Sequence, residues 1–270
     1  MTRVDVLIPT CGRPSGLAVT LACLVGQTHR DLRVVVSDQT EGDDPLTRPE
    51  VVAVVRVLRL RGHDVELHHH LPRRGLGEHR QFLLDRCTAP YCLFLDDDVI
   101  LEPDVIERLH ATIAAEACGL VACGLIGPSF ESDVRPHQQA FEPWAGPVEP
   151  ELVEPGSPAW ERHRLHSAAN LLHVQRALDI PDGTSLRYRL AWAGGCVLYD
   201  AAKLRSVGGF SFWPELPSVH CGEDVLAELR VMAAYGGCGI MPSGAFHQEL
   251  PTTIPDRDAD APRLLPVRDG

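Results

Sequence analysis

Residues 6–40 read VLIPTCGRPSGLAVTLACLVGQTHRDLRVVVSDQT. The stretch alternates between two structural habits. Val4–Ile8 is a short apolar strand, and Pro9–Pro14 is a loop rich in glycine and proline. Ser15 can cap a helix whose apolar positions are Leu17, Val19, Leu21 and Leu24. Leu32–Val36 is a second strand, dense in β-branched residues that fit a buried sheet.

Outward from this unit the alternation continues. The pattern predicts a helix over 49–60, a strand over 65–68, a helix over 77–87 and a strand over 91–95. A helix over 103–116 and a strand over 119–125 follow. Strands alternating with helices predict an α/β fold with a mostly parallel sheet. Residues 128–190 have no clean period and read as an insertion with one helix over 158–177. A strand over 191–198 and a helix over 222–235 resume the pattern, and from Pro251 the chain reads as a loose tail. The expected organisation is therefore 1–127, 128–250 and 251–270.

Composition narrows the function. The net charge is -12, from 37 acidic and 25 basic residues, so no basic face is expected for nucleic acid. Of the basic residues only Lys203 is a lysine. The nine cysteines are scattered, without the close pairs of a zinc or redox site, which reads as reduced thiols in a cytoplasmic protein. No apolar run approaches the ~20 residues of a membrane helix, so no transmembrane segment is expected. Peripheral membrane contact stays open.

In open parallel sheets ligands gather beyond the carboxyl ends of the strands. Two such ends are acidic here: Asp38 after the second strand, and Asp96–Asp98 after the fourth. The run CLFLDDDVILEPD, residues 92–104, ends an apolar strand in three aspartates. Grouping three carboxylates is costly unless a cation offsets them. In extended backbone Asp96 and Asp98 would share a face, which suits a hard divalent ion, Mn²⁺ or Mg²⁺, with phosphate completing its shell. A solvated acidic turn would read the same way.

The aspartate run resembles the Asp-x-Asp motif of glycosyltransferase family 2, which has the GT-A fold. Residues 6–40 resemble that family's opening strand, helix and second strand. GLGEHRQFLLDRC resembles its Gly-x-x-x-Arg-Asn helix, with Arg80 and Gln81 at the last two places. LAWAGGCVLYDAAKLRSVGGF resembles its acceptor-side Gly-Gly strand, and CGEDVLAELRVMAAYG its Glu-Asp helix. The blocks run in the family's order over about 2–127 and 188–247.

The resemblance implies a GT-A α/β domain, Rossmann-like, with an acceptor-side insertion. It implies a metal-dependent glycosyltransferase moving a sugar from a UDP-, GDP- or dTDP-sugar to a carbohydrate, lipid-carrier or small-molecule acceptor, with inversion. Pro9, Thr10, Arg13, Asp38, Gly75, Arg80, Asp96 and Asp97 would bind the donor. Asp96, Asp98 and His247 would hold the ion. Asp224 would be the general base. Trp192, Gly194, Gly195, Trp213 and Glu223 would face the acceptor. Acidic residues in a helix's first turn also complement its dipole, so Glu223 and Asp224 have a plain reading too. A retaining transferase of the same fold and a sugar nucleotidyltransferase are the alternatives.

Overall fold

The structure, a computed structural model, describes residues 2–178, 180–181, 183–254 and 256–268. Strand β1 (Val4–Thr10) is buried along its whole length, as is β2 (Leu32–Asp38) beside it. Strands covered on both faces carry continuous rather than alternating apolar runs. The exception inside β1 is Asp5, whose carboxylate accepts from Arg33 Nη1 at 2.7 Å and from the Thr88 and Ala89 amides.

Helix α1 (Pro14–Val25) starts on its proline, with Arg13 at the cap and no side-chain cap bond. Ser15 therefore lies inside the first turn and does not cap the helix, because proline fits the first helical position. Next come α2 (Pro49–Leu60), β3 (Asp64–His69), α3 (Leu76–Arg86) and β4 (Tyr91–Leu95). A three-residue β5 (Val99–Leu101) precedes α4 (Val105–Glu116) and β6 (Leu120–Ala122). The insertion does not hold one helix over 158–177. A 3-10 stretch, Pro158–His166, gives way to α5 (Asn170–Ala177), with Ala168 at φ +55° between them.

The second half supplies β7 (Leu186–Tyr188), β8 (Cys196–Asp200), α6 (Ala201–Ser206), α7 (Glu223–Tyr235), β9 (Gly237–Met241) and β10 (Ala245–His247). The main sheet runs β3-β2-β1-β4-β8-β6-β9-β7, with β10 paired to β5 apart from it. β1–β4, β6 and β9 run one way, and β7 and β8 run against them. Alternate residues of the central strands feed two cores. Val4, Val6 and Ile8 face α1, α2 and α4, while Leu7 and Val35 face α3, α7 and the insertion.

The expected loose tail is partly folded. Helix α8 (Ala261–Leu264) buries Ala261, and Ile254 and Val267 are buried beside it. Positions 255 and 269–270 of that tail lie outside the described residues. All nine cysteines are unbridged. No helix among the described residues is long and apolar enough to cross a membrane.

Candidate active site

The acidic tip follows the end of β4 at Leu95, and Asp97 and Asp98 form a turn. The extended geometry that would put Asp96 and Asp98 on one face is absent, so the two side chains part. Asp96 donates its amide to Gly195 O at 2.9 Å, and its Oδ1 accepts from Arg80 Nη2 at 3.1 Å. Asp97 Oδ2 accepts from Thr10 Oγ1 at 2.5 Å and its Oδ1 from Arg13 Nη1 at 3.1 Å. Burial pushes the Asp97 carboxyl up to about 6, against the pull of Thr10 and Arg13. Asp98 Oδ2 accepts from Arg13 Nη1 at 2.7 Å and lies 3.4 Å from His247 Nε2. Burial raises the Asp98 carboxyl too.

The facing wall is the first turn of α7. Glu223 Oε1 accepts from Arg80 Nε at 2.9 Å, and Asp224 Oδ2 lies 3.7 Å from Arg80 Nη2. One buried guanidinium thus joins α3, the tip after β4 and α7. Burial alone would lower the Arg80 pKa, but Asp96, Asp224 and Glu223 together hold it raised.

One turn beyond Asp224, Glu228 is fully buried. Its two carboxylate oxygens accept the Ala193 and Gly194 amides at 2.7 and 2.9 Å. That fixes the loop before β8, where Gly194 and Gly195 have φ of +66° and +38°. A Cβ on Gly195 would lie 2.5 Å from Leu125 Cδ1, so this loop needs glycine for space as well as conformation.

Burial, with Asp224 adding, pushes the Glu228 carboxyl up to about 8 from 4.5. Burial and Asp224 also raise Glu223, against the pull of Arg80. A folded-state pKa above the unfolded value gives stability that is complete below the unfolded pKa and is lost as pH rises through the folded one. Stability should therefore fall from about pH 5 upward, to about 7 for Glu223 and about 8 for Glu228, by about 1.4 kcal/mol per pH unit for each such proton. Glu228→Gln should flatten that slope in urea unfolding. An unchanged slope would remove Glu228 as its source.

These elements enclose a cleft of about 550 Å³. Pro9, Arg13 and Asp96–Asp98 line one side, and Trp192, Gly194, Glu223 and Asp224 the other, with Arg80 beneath. Behind Trp192 the insertion stacks His163 at 4.7 Å and Trp160 at 4.3 Å between ring centroids. Leu250, Thr252–Ile254 and Arg257 of the C-terminal segment complete the lining.

Five expected residues do not line the cleft: Thr10, Asp38, Gly75, Trp213, and Gly195, which bounds it only through the backbone next to Gly194. The Asp38 carboxylate is buried, accepting from the Thr40 amide at 3.0 Å and the Thr40 hydroxyl at 2.7 Å. Gly75 packs on His220, whose Cε1 would lie 2.5 Å from a Cβ there, so its small size makes room for that ring. Trp213 packs against Gly77. Thr10 reaches the cleft only through Asp97.

Nor do Asp96, Asp98 and His247 assemble as a trio. Among the described residues no three His, Cys, Asp or Glu converge to hold a cation by themselves. Asp96 is committed to Arg80. Asp98 Oδ2 and His247 Nε2, 3.4 Å apart, do suit neighbouring ligands of one small ion, which lie about 3 Å apart at ~2.1 Å bond lengths. Two contacts must first be given up. Arg13 sits on Asp98, and the Glu249 amide donates to His247 Nδ1 at 2.8 Å. That bond assigns the ring proton of neutral His247 to Nε2, whereas a ligating Nε2 needs its lone pair and a proton on Nδ1.

Sequence reasoning misses Glu228, His220 and the lining residues Leu250, Thr252–Ile254 and Arg257. Only Glu228 carries a local signal, since it shares the helix face of Asp224 at a spacing of four.

A family model described as glycosyl transferase family 2 matches residues 5–188. A pre-mycofactocin glycosyltransferase of Mycobacterium tuberculosis (strain CDC 1551 / Oshkosh) is 26% identical over 222 residues, covering 82% of this chain. The chain spans 37% of that relative's length. Among solved structures, S. aureus TarS 1-349 in complex with UDP-GlcNAc superposes with a TM-score of 0.58 at 14% identity, covering 93% of this chain and 60% of that one. Mannosyltransferase PcManGT from Pyrobaculum calidifontis, in complex with GDP-Man and Mn²⁺, gives 0.57 at 15% identity, covering 94% and 59%. At these identities the likeness establishes the fold, which is the expected GT-A α/β type.

Proposed function

Since the chain belongs to glycosyl transferase family 2, we propose that it transfers a sugar from a nucleoside-diphosphate sugar to an acceptor hydroxyl, with inversion. The supporting observation is one cleft in which the Asp96–Asp98 tip faces Asp224 across Arg80. The donor lies along Pro9, Arg13, Asp96 and Asp97. Asp98 and His247 would hold a divalent ion, Mn²⁺ or Mg²⁺. A bound ion of this kind offsets negative charge gathering on a departing diphosphate.

Asp224 takes the proton of the attacking hydroxyl. A general base needs reach before it needs a matched pKa, and Asp224 opens onto the cleft while Glu223 is locked on Arg80. Direct attack from the Asp224 side is a single displacement and inverts the anomeric centre. Trp192, Gly194 and Gly195 shape the acceptor side, and residues 128–190 set acceptor choice through His163 and Trp160 behind Trp192. The base is uracil, guanine or thymine; UDP-GlcNAc and GDP-Man, the ligands of the two solved transferases, are the first donors to try.

The test is a panel of nucleotide sugars with and without Mn²⁺, followed by calorimetric binding and donor hydrolysis. One nucleoside-diphosphate sugar should bind and be hydrolysed slowly. A chain that binds none of them would sink the proposal.

A further inference from the structure

Arg13 holds three groups at once. Its Nη1 lies 3.1 Å from Asp97 Oδ1 and 2.7 Å from Asp98 Oδ2, the same oxygen that faces His247. Its Nη2 donates to the carbonyl of Pro251, in the C-terminal segment that lines the cleft. That segment makes a second contact with the same place, the Glu249 amide on His247 Nδ1. So the two contacts that stand between Asp98–His247 and a divalent ion both lead into the backbone of residues 249–251.

We propose that Arg13 is a positioning residue that serves as the stand-in cation of the ion-free protein, and that an entering divalent ion displaces it and frees residues 249–254. This rests on the metal reading given above. The physics is a competition for one oxygen. A guanidinium and a divalent ion at contact distance on Asp98 Oδ2 repel each other, because like charges are poorly screened at this buried carboxylate. The guanidinium therefore withdraws when the ion enters, and its donation to Pro251 goes with it. Coordination through His247 Nε2 also requires Nδ1 to carry the proton, which ends its role as acceptor for the Glu249 amide. Both ties are lost together, so ion entry loosens residues 249–254 and opens the cleft for the donor.

The proposal has a consequence that a structural role would not produce. Arg13→Gln removes a competitor, so it should tighten Mn²⁺ binding about tenfold, a factor worth ~1.4 kcal/mol. Damage to the site would weaken binding instead. The measurement is Mn²⁺ titration of the metal-stripped full chain, with free Mn²⁺ followed by electron paramagnetic resonance, on wild type and Arg13→Gln, with Asp98→Asn as the site control. Hydrogen exchange on the wild type supplies a reading that needs no variant. Saturating Mn²⁺ should speed amide exchange across 249–254. Equal or weaker Mn²⁺ binding by Arg13→Gln overturns the proposal, as does exchange that Mn²⁺ slows or leaves unchanged. If neither protein binds Mn²⁺, the metal reading falls and the proposal falls with it; if both bind equally, only the proposal falls.

Discussion

Asp224→Asn should cut sugar transfer by about 10²–10⁴, the range for loss of a positioned general base, while donor affinity holds. The change keeps the size of the side chain and its place at the start of α7. It removes only the ability to accept a proton. Asp224 is well placed to reveal this cleanly, because Arg80 Nη2 is 3.7 Å away and already donates to Asp96, while Arg80 Nε donates to Glu223. The measurement pairs calorimetric donor binding with product formation under saturating donor. Transfer at a near-normal rate by this variant would take Asp224 out of the mechanism and send the search for a base to another residue of the cleft.

Arg80→Met should be the most destabilising single change at the site. Removing one partner from a buried ionic cluster typically costs 3–5 kcal/mol, roughly, since the charges left behind lose their compensation. Here three carboxylates share the one guanidinium, at 2.9, 3.1 and 3.7 Å. The melting temperature should drop by on the order of 10 °C. The loss should be larger at pH 8 than at pH 5. Glu223 is already raised by burial and by Asp224, and without Arg80 it rises further, so at the lower pH it can shed its charge by taking a proton. Calorimetric melting of wild type and variant at both pH values checks the sign. A melting temperature unchanged by the substitution would mean that Arg80 is not the counter-ion of the cluster.

Much of the sheet was readable because its strands are buried on both faces. The apolar runs of β1, β2 and β4 need no partner in the sequence to declare themselves. The short strands did not: β5, β9 and β10 are Val-Ile-Leu, Gly-Cys-Gly-Ile-Met and Ala-Phe-His, too brief or too glycine-rich to carry a period. β8 begins five residues later than expected because Gly194 and Gly195 take positive φ, which no strand does.

At the site, the acidic tip and the Glu-Asp turn were visible as clustered charge. Their division of labour was not. The Arg13–Asp98 and Arg80–Glu223 pairs join residues 85 and 143 positions apart, and nothing in a linear pattern chooses among the chain's many arginines. Asp38 shows the reverse error. A carboxylate at a strand end invites a ligand, yet Thr40, two residues on, satisfies it as a local turn. The tail misled through composition: its prolines and charges suggest a free end, while Ile254, Ala261 and Val267 reach the core.

Strand β8, running antiparallel between β4 and β6, welds the two sides of the reaction at main-chain level. The Asp96 amide bonded to Gly195 O is the next rung after Leu95 opposite Cys196. The gap between the Asp96–Asp98 tip and the Gly194–Gly195 turn is thus set by ladder spacing. Under the proposed function, exchanging the 128–190 segment would change the acceptor without retuning the distance across which the sugar must travel.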